Sequence, residues 1–245
     1  GYLHALGAII DVKVIRPGFF PKGGGLLETK TTPSKLTGWN CTMQAEEDRP
    51  PELLAILGGK LPEHIAQRML IRARQRLGDN TPGRIEMYPY AKSEGVVFSV
   101  ISYQGPIPTV FYALGAKGKP AEAVADEAVT EFEAFRTSGC PVDPHGADQL
   151  LLPLVFAQGS SSYCTSTITQ HLLTQCDIIQ QFMKRSAAQP NAPAAVTPAL
   201  FTRMWHGPSE SSTSAGSSSM RAGSRTSATC TLARVPSERT CSAVS

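Results

Sequence analysis

Three short stretches carry polar and charged side chains placed where they could bind or act on an anion. Asp143-Pro144-His145-Gly146-Ala147-Asp148-Gln149 puts an imidazole, a carboxylate and an amide at the start of a helix, where unsatisfied backbone N–H groups favour anions. Thr169-Gln170-His171-Leu172-Leu173-Thr174-Gln175 places a second histidine among hydroxyls and amides at the start of another helix. Lys22-Gly23-Gly24-Gly25 sets a cation beside a glycine triplet, a run that either forms an anion-binding concavity or closes a hairpin. Taken singly, the first stretch also reads as an N-cap with a flanking histidine, and the second as a helix-entry histidine that is an ordinary surface or core residue.

The elements that must position these groups follow from periodicity. Ala8 to Ile15 alternates through Ile9, Ile10, Val12 and Val14 and reads as a strand; the glycine turn and a second strand near Leu26 to Thr32 complete a hairpin. Pro62 to Leu77 places Ile65, Met69, Leu70 and Ala73 on one helical face, with Pro62 near its first turn and Gly78 just past its end. Strand-like runs at Arg84 to Tyr90, Val96 to Tyr103 and Thr109 to Leu114 precede a helix from Ala121 to Arg136. Helix, three strands and helix make a compact α+β unit, bounded at Glu46 and Gly139. A further helix is expected from near Ala147 through Ala157, then a short strand around Tyr163 to Ile168 and a last helix from about Leu172 to Met183.

Composition sets the limits. A chain of 245 residues allows one large domain or two smaller ones at about 150 residues each. With 41% hydrophobic and 18% charged residues it has the make-up of a globular protein, without an apolar run that spans a bilayer. No secretory signal is visible at Gly1 to Ile10, which sets the expectation of a reducing, cytoplasmic setting. The six cysteines follow no CxxC spacing and are read as free thiols rather than a disulfide framework or zinc site. Residues 1–185 hold 18 basic and 18 acidic side chains, so the formal +3 charge resides in the remainder. Any RNA or DNA contact must then come from a local site rather than a broad basic surface. Residues 186–245 contain 13 Ser and 7 Thr without a usable apolar pattern and read as a disordered tail, or as the product of a reading-frame slip near Met183 to Arg185.

Five blocks in order carry a resemblance: FFPKGGG (Phe19 to Gly25), LPEHIAQR (Leu61 to Arg68), GAKGKPAEAVADEA (Gly115 to Ala128), SGCPVDPHGADQLLLPLVFA (Ser138 to Ala157) and ITQHLLTQ (Ile168 to Gln175). On these blocks residues 1–185 resemble the RNA 3'-terminal phosphate cyclase family. The resemblance implies an α+β fold with α/β-type repeats: a large catalytic domain of repeated units, each two helices on a four-stranded sheet, and an inserted domain of thioredoxin-like topology. Residues 1–45 and 140–185 would be an incomplete large domain and residues 46–139 the inserted domain, with residues 186–245 as the tail.

The resemblance also implies a reaction. His171 would attack the α-phosphate of ATP and carry AMP covalently; AMP would pass to an RNA 3'-phosphate, and the neighbouring 2'-hydroxyl would close a 2',3'-cyclic phosphate. His145, Gly146, Ala147, Asp148 and Gln149 would contact the nucleotide, with the His145 ring placed to stack on adenine. Lys22, Gly23, Gly24 and Gly25 match the family motif and are carried as a phosphate contact beside the alternative of a structural turn. Mg2+ or Mn2+ would neutralise the triphosphate, and the partner would be RNA with a 3'-phosphate end, with no membrane. Family members are longer at the N-terminus, where further residues around the triphosphate, metal and RNA end are expected, and Gln175 stands where the family usually has Asn. Two other readings are an inactive fragment and a non-catalytic cyclase-like factor in ribosome assembly. Such relatives lack the nucleophilic histidine, so His171 favours the enzyme.

Overall fold

A computed structural model of the chain describes residues 1–42, 49–187 and 228–232. The expected boundary at Glu46 and most of the Ser/Thr-rich tail lie outside the described residues. The elements run α1 (Tyr2–Ala5), β1 (Ile9–Arg16), β2 (Leu26–Thr32), β3 (Asn40–Cys41), β4 (Glu52–Gly58), α2 (His64–Leu77), β5 (Gly83–Tyr88), β6 (Gly95–Ser102), β7 (Thr109–Leu114), α3 (Ala121–Ser138), α4 (Pro144–Phe156), β8 (Ser161–Thr165), α5 (Gln170–Ala187) and β9 (Ala228–Leu232). Contacts divide the chain into two compact units: Gly1–Ser34 with Met43–Pro141, and Lys35–Thr42 with Val142–Ser245.

The first unit is built around a four-stranded sheet of order β5-β4-β6-β7, in which β4 runs parallel to β5 and antiparallel to β6, and β6 antiparallel to β7. Helices α2 and α3 cover one face. Leu53, Ala55 and Leu57 of β4, Phe98 and Val100 of β6, and Phe111 and Ala113 of β7 meet Ala66, Met69, Leu70 and Ala73 of α2 and the α3 row from Ala121 to Phe135 in one core. That period of two on the strands, set against a helical stripe on each helix, is what a half-buried sheet under amphipathic helices requires. The central strand β4 is an addition to the sequence reading, which has only three strands here. Its run ELLAILG is apolar on both faces, a pattern that does not distinguish a buried strand from a helical segment.

The loop between β1 and β2 folds back onto this sheet. Phe19 packs over Gly58 and Gly95, which face each other across β4 and β6. A Cβ on Gly58 would lie 2.1 Å from the Phe19 ring and one on Gly95 2.0 Å from it, so both glycines are needed for the ring to seat. Valine normally favours a strand over glycine by up to about 1 kcal/mol, but here the overlap outweighs that preference. Gly95→Val is therefore expected to destabilise by about 1–3 kcal/mol and to make the Phe19 to Gly25 loop a protease site. A urea midpoint equal to or above the parent's would refute the seating.

Across the helical layer, Arg68 meets Glu122 at 2.7 Å, Arg72 meets Asp126 at 2.9 Å, and Arg76 reaches Asp126 at 3.1 Å and Glu133 at 2.5 Å. Hydrogen bonds from Arg68 hold the Glu122 carboxyl below its ordinary range, and those from Arg72, then Arg76, do the same for Asp126. A carboxyl with a lowered folded-state pKa stabilises above its unfolded value, about pH 4, and that stabilisation disappears as pH falls through the lowered value. Acidification from about pH 5 should thus lower Tm more steeply in the parent than in Asp126→Asn, and added salt should shrink the difference. Parallel Tm–pH curves would contradict this.

The second unit has a sheet of order β3-β8-β9, parallel between β3 and β8 and antiparallel between β8 and β9. Strand β9 lies within the stretch expected to be without structure; its residues ATCTL have the short β-branched pattern that a neighbouring Ser/Thr-rich composition masks. The helices α4 and α5 begin earlier than expected, at Pro144 and Gln170, because each is capped from outside its apolar run. Strand β8 likewise covers Ser161–Thr165 rather than Tyr163 to Ile168. Among the described residues no helix is long and apolar enough to cross a membrane.

Candidate active site

His145 and His171 each occupy the second position of a capped helix. Asp143 is the N-cap of α4: its Oδ1 accepts the Gly146 N–H at 2.9 Å, and Pro144 fills the first helical position, where a missing N–H costs nothing. His145 follows, exposed, while Gly146, Ala147 and Asp148 are buried and Gln149 is exposed again. Thr169 plays the corresponding part for α5. Its Oγ1 accepts the Leu172 N–H at 3.0 Å, and its carbonyl accepts the Leu173 N–H at 3.2 Å. His171 is exposed, between Gln170 and the fully buried Leu172.

Strand β8 is the common support. Val142 N–H donates to the Cys164 carbonyl at 3.3 Å, just before α4, and the Tyr163 hydroxyl donates to the Ala147 carbonyl at 3.0 Å. Tyr163 is fully buried. The two helix starts are joined directly: Thr169 Oγ1 donates to Asp148 Oδ1 at 2.5 Å. Thus the stretches His145 to Gln149 and Thr169 to Gln175, separated in sequence, share one corner of the fold. Each stretch carries an exposed imidazole, and the buried Asp148 carboxylate of the first is hydrogen-bonded to Thr169 of the second. The exposed imidazoles are accessible to a ligand phosphate, and the amide of Gln149 adds an exposed polar group on α4.

The loop Lys22 to Gly25 belongs to the first unit. Its backbone is committed within the fold: Lys22 N–H donates to Ser93 Oγ at 3.0 Å, Gly23 N–H to the Phe19 carbonyl at 2.8 Å, and Arg16 Nε to the Gly24 carbonyl at 2.8 Å. Gly23 and Gly24 have φ of 59° and 82°, the left-handed region that glycine enters without strain. The Lys22 side chain is exposed. A cleft of about 480 Å³ in the same unit, lined by His4, Ile9, Asp11, Lys30 and Thr32 among others, contains none of the sequence-predicted site residues.

Cys41, Cys140, Cys164 and Cys176 stand as thiols. Burial, with Cys164 nearby, pushes the Cys41 thiol up to about 11, so it stays protonated and unreactive at neutral pH. Among the described residues no group of three or more His, Cys, Asp and Glu side chains could hold a metal ion. The polar residues that spacing alone did not single out are Thr169, as the joint between the helices, and Tyr163, as the strut. A Thr just before an apolar helix is a visible cap signature, whereas its bond to a carboxylate 21 residues away is not.

Residues 1–188 match the family model for RNA 3'-terminal phosphate cyclase. An RNA 3'-terminal phosphate cyclase of Pseudomonas aeruginosa (strain LESB58) is 34% identical over 185 residues, covering 74% of this chain and 52% of that protein. One from Pyrobaculum neutrophilum is 32% identical over 188 residues, covering 74% and 53%, and one from Nostoc punctiforme 33% over 187, covering 74% and 52%. The chain spans about half the length of the curated relatives it matches.

Proposed function

This chain belongs to the RNA 3'-terminal phosphate cyclase family, and from that premise we propose that it takes part in ATP-dependent conversion of an RNA 3'-phosphate to a 2',3'-cyclic phosphate. The observation that carries the proposal is the exposed His171 on the first turn of α5, held beside the start of α4 by the Thr169–Asp148 hydrogen bond. A ring nitrogen of His171 attacks the α-phosphorus of ATP, an N–P bond forms, and the bond to the β-phosphate breaks with its electron pair leaving on pyrophosphate. The AMP then passes to an oxygen of the RNA 3'-phosphate. The adjacent 2'-hydroxyl attacks that activated phosphorus, loses its proton, and expels AMP. His145, Gly146, Ala147, Asp148 and Gln149 receive the nucleotide at the start of α4, the His145 ring being exposed for stacking on the base. Lys22 and Gly23 to Gly25 are the second, lesser candidate contact for phosphate.

The described residues do not fit a protein-only metal cage. Mg2+ or Mn2+ is therefore proposed to arrive on the nucleotide, held by its phosphates, and no step is assigned to it. For the architecture, a self-contained core drawn from residues 53 to 135 and the strand order β5-β4-β6-β7 under two helices support an inserted thioredoxin-like domain over 46–139. Residues 1–45 and 140–185 are proposed as the part of the large domain present here, with Gly1–Ser34 packed in the same compact unit as residues 43–141. A cytoplasmic setting is part of the same proposal, supported by Cys41, Cys140, Cys164 and Cys176 standing as thiols.

The test is incubation of the chain with α-labelled ATP and manganese or magnesium, followed by a denaturing gel. Acid-labile label on the chain is expected. Its absence under conditions that label a full-length relative would overturn the proposal for this chain.

A further inference from the structure

Thr169 occupies an unusual position for a capping residue. A threonine hydroxyl has one hydrogen and two lone pairs, and at an N-cap only a lone pair is needed, leaving the hydrogen to water. Here both are fixed: the oxygen accepts the Leu172 N–H at 3.0 Å, and the hydrogen is donated to Asp148 Oδ1 at 2.5 Å. Asp148 is 8% exposed and Leu172 fully buried. The first turn of α5 is thereby held on both sides of His171, by the Thr169 hydroxyl before it and the Leu172 side chain after it. Neither bond touches the imidazole, which remains exposed.

We propose that Thr169 is a positioning residue for His171: by bridging the Asp148 carboxylate and the Leu172 N–H it sets the rotation of the first turn of α5 and so aims the exposed imidazole. This rests on the reading of His171 as the group that accepts AMP. An exposed side chain at a helix N-terminus otherwise samples several rotamers while the turn itself frays, and attack on phosphorus requires one direction of approach. Asp148 acts in this device through Thr169, with a single carboxylate oxygen, and its burial keeps solvent from competing for the hydroxyl.

The experiment compares the full chain with Thr169→Ser, Thr169→Val and Asp148→Asn by two readouts. The first is the rate of AMP capture from α-labelled ATP, beside equilibrium affinity for a non-cleavable ATP analogue. Thr169→Val is expected to slow capture roughly tenfold with analogue affinity unchanged, and Thr169→Ser, which keeps the hydroxyl, to return to within about twofold of the parent. The second, independent of turnover, is NMR: amide exchange at Leu172 and the coupling constants that report the His171 χ1 angle. Leu172 exchange should quicken roughly tenfold in Thr169→Val and by less in Asp148→Asn, which keeps a neutral acceptor, and the His171 couplings should average toward mixed rotamers. Capture by Thr169→Val at the parental rate, or Ser and Val variants equally impaired, would overturn the proposal. So would Leu172 exchange and His171 couplings that ignore these changes. Should the parent capture no AMP, the proposed function fails on its own, and the NMR arm still decides whether Thr169 positions His171.

Discussion

His171→Ala is expected to reduce covalent label from α-labelled ATP to background while leaving the urea midpoint of the chain within about 0.5 kcal/mol of the parent. The two halves of this expectation come from different features. Removing the imidazole removes the only atom proposed to form the N–P bond, and no other group on the first turn of α5 substitutes for it: Gln170 is an amide, and the Thr169 hydroxyl is already engaged by Asp148. Stability is spared because the ring is exposed and because alanine suits a helix interior at least as well as histidine. His145→Ala is the matched control, since His145 is equally placed at the second position of α4 and equally exposed. It should lower labelling at scarce ATP and recover at saturating ATP, the pattern of lost ground-state binding. Undiminished label on His171→Ala would move the covalent site elsewhere and end the assignment of His171.

Local signals and long-range ones separated clearly in this chain. The hairpin of β1 and β2, the faces of α2 and α3, and the placing of both histidines at helix starts were legible because each rests on periodicity or on caps within a few residues. Strand β4 was not, since Leu53 to Leu57 is apolar on both faces and only pairing with β5 and β6 shows it to be the centre of the sheet. The beginning of α4 at Pro144 was misjudged by a turn because its N-cap is an aspartate lying ahead of the apolar run. Gly58 and Gly95 are unremarkable in sequence, and their role emerges only when Phe19 lies over both. The same holds for the candidate site. Each histidine stretch could be found alone, but the fact that Asp148 and Thr169 join them depends on the path of the chain through β8.

That path gives the second large effect. Tyr163 is fully buried on β8, opposite Cys41 of β3, and its hydroxyl reaches the carbonyl of Ala147 in the first turns of α4. Tyr163→Ala is expected to cost about 3–5 kcal/mol, because a large aromatic leaves a void that close-packed neighbours fill only in part. Tyr163→Phe keeps the volume and removes only the hydroxyl, at about 1 kcal/mol. Trp39 reports on this unit, since its backbone N–H donates to Ser161 Oγ at 3.1 Å, two residues from Tyr163 on β8. Its fluorescence transition in urea should shift far for the alanine variant and slightly for the phenylalanine one. The functional consequence is graded in the same order: with α4 released from β8, Asp148 no longer meets Thr169 at a fixed point, and the rate of AMP capture by His171 should fall before the fold is lost. A Trp39 transition unmoved by Tyr163→Ala would remove the strut from this account, and with it the structural reason for proposing that two helix starts 26 positions apart in their histidines, His145 and His171, form one site.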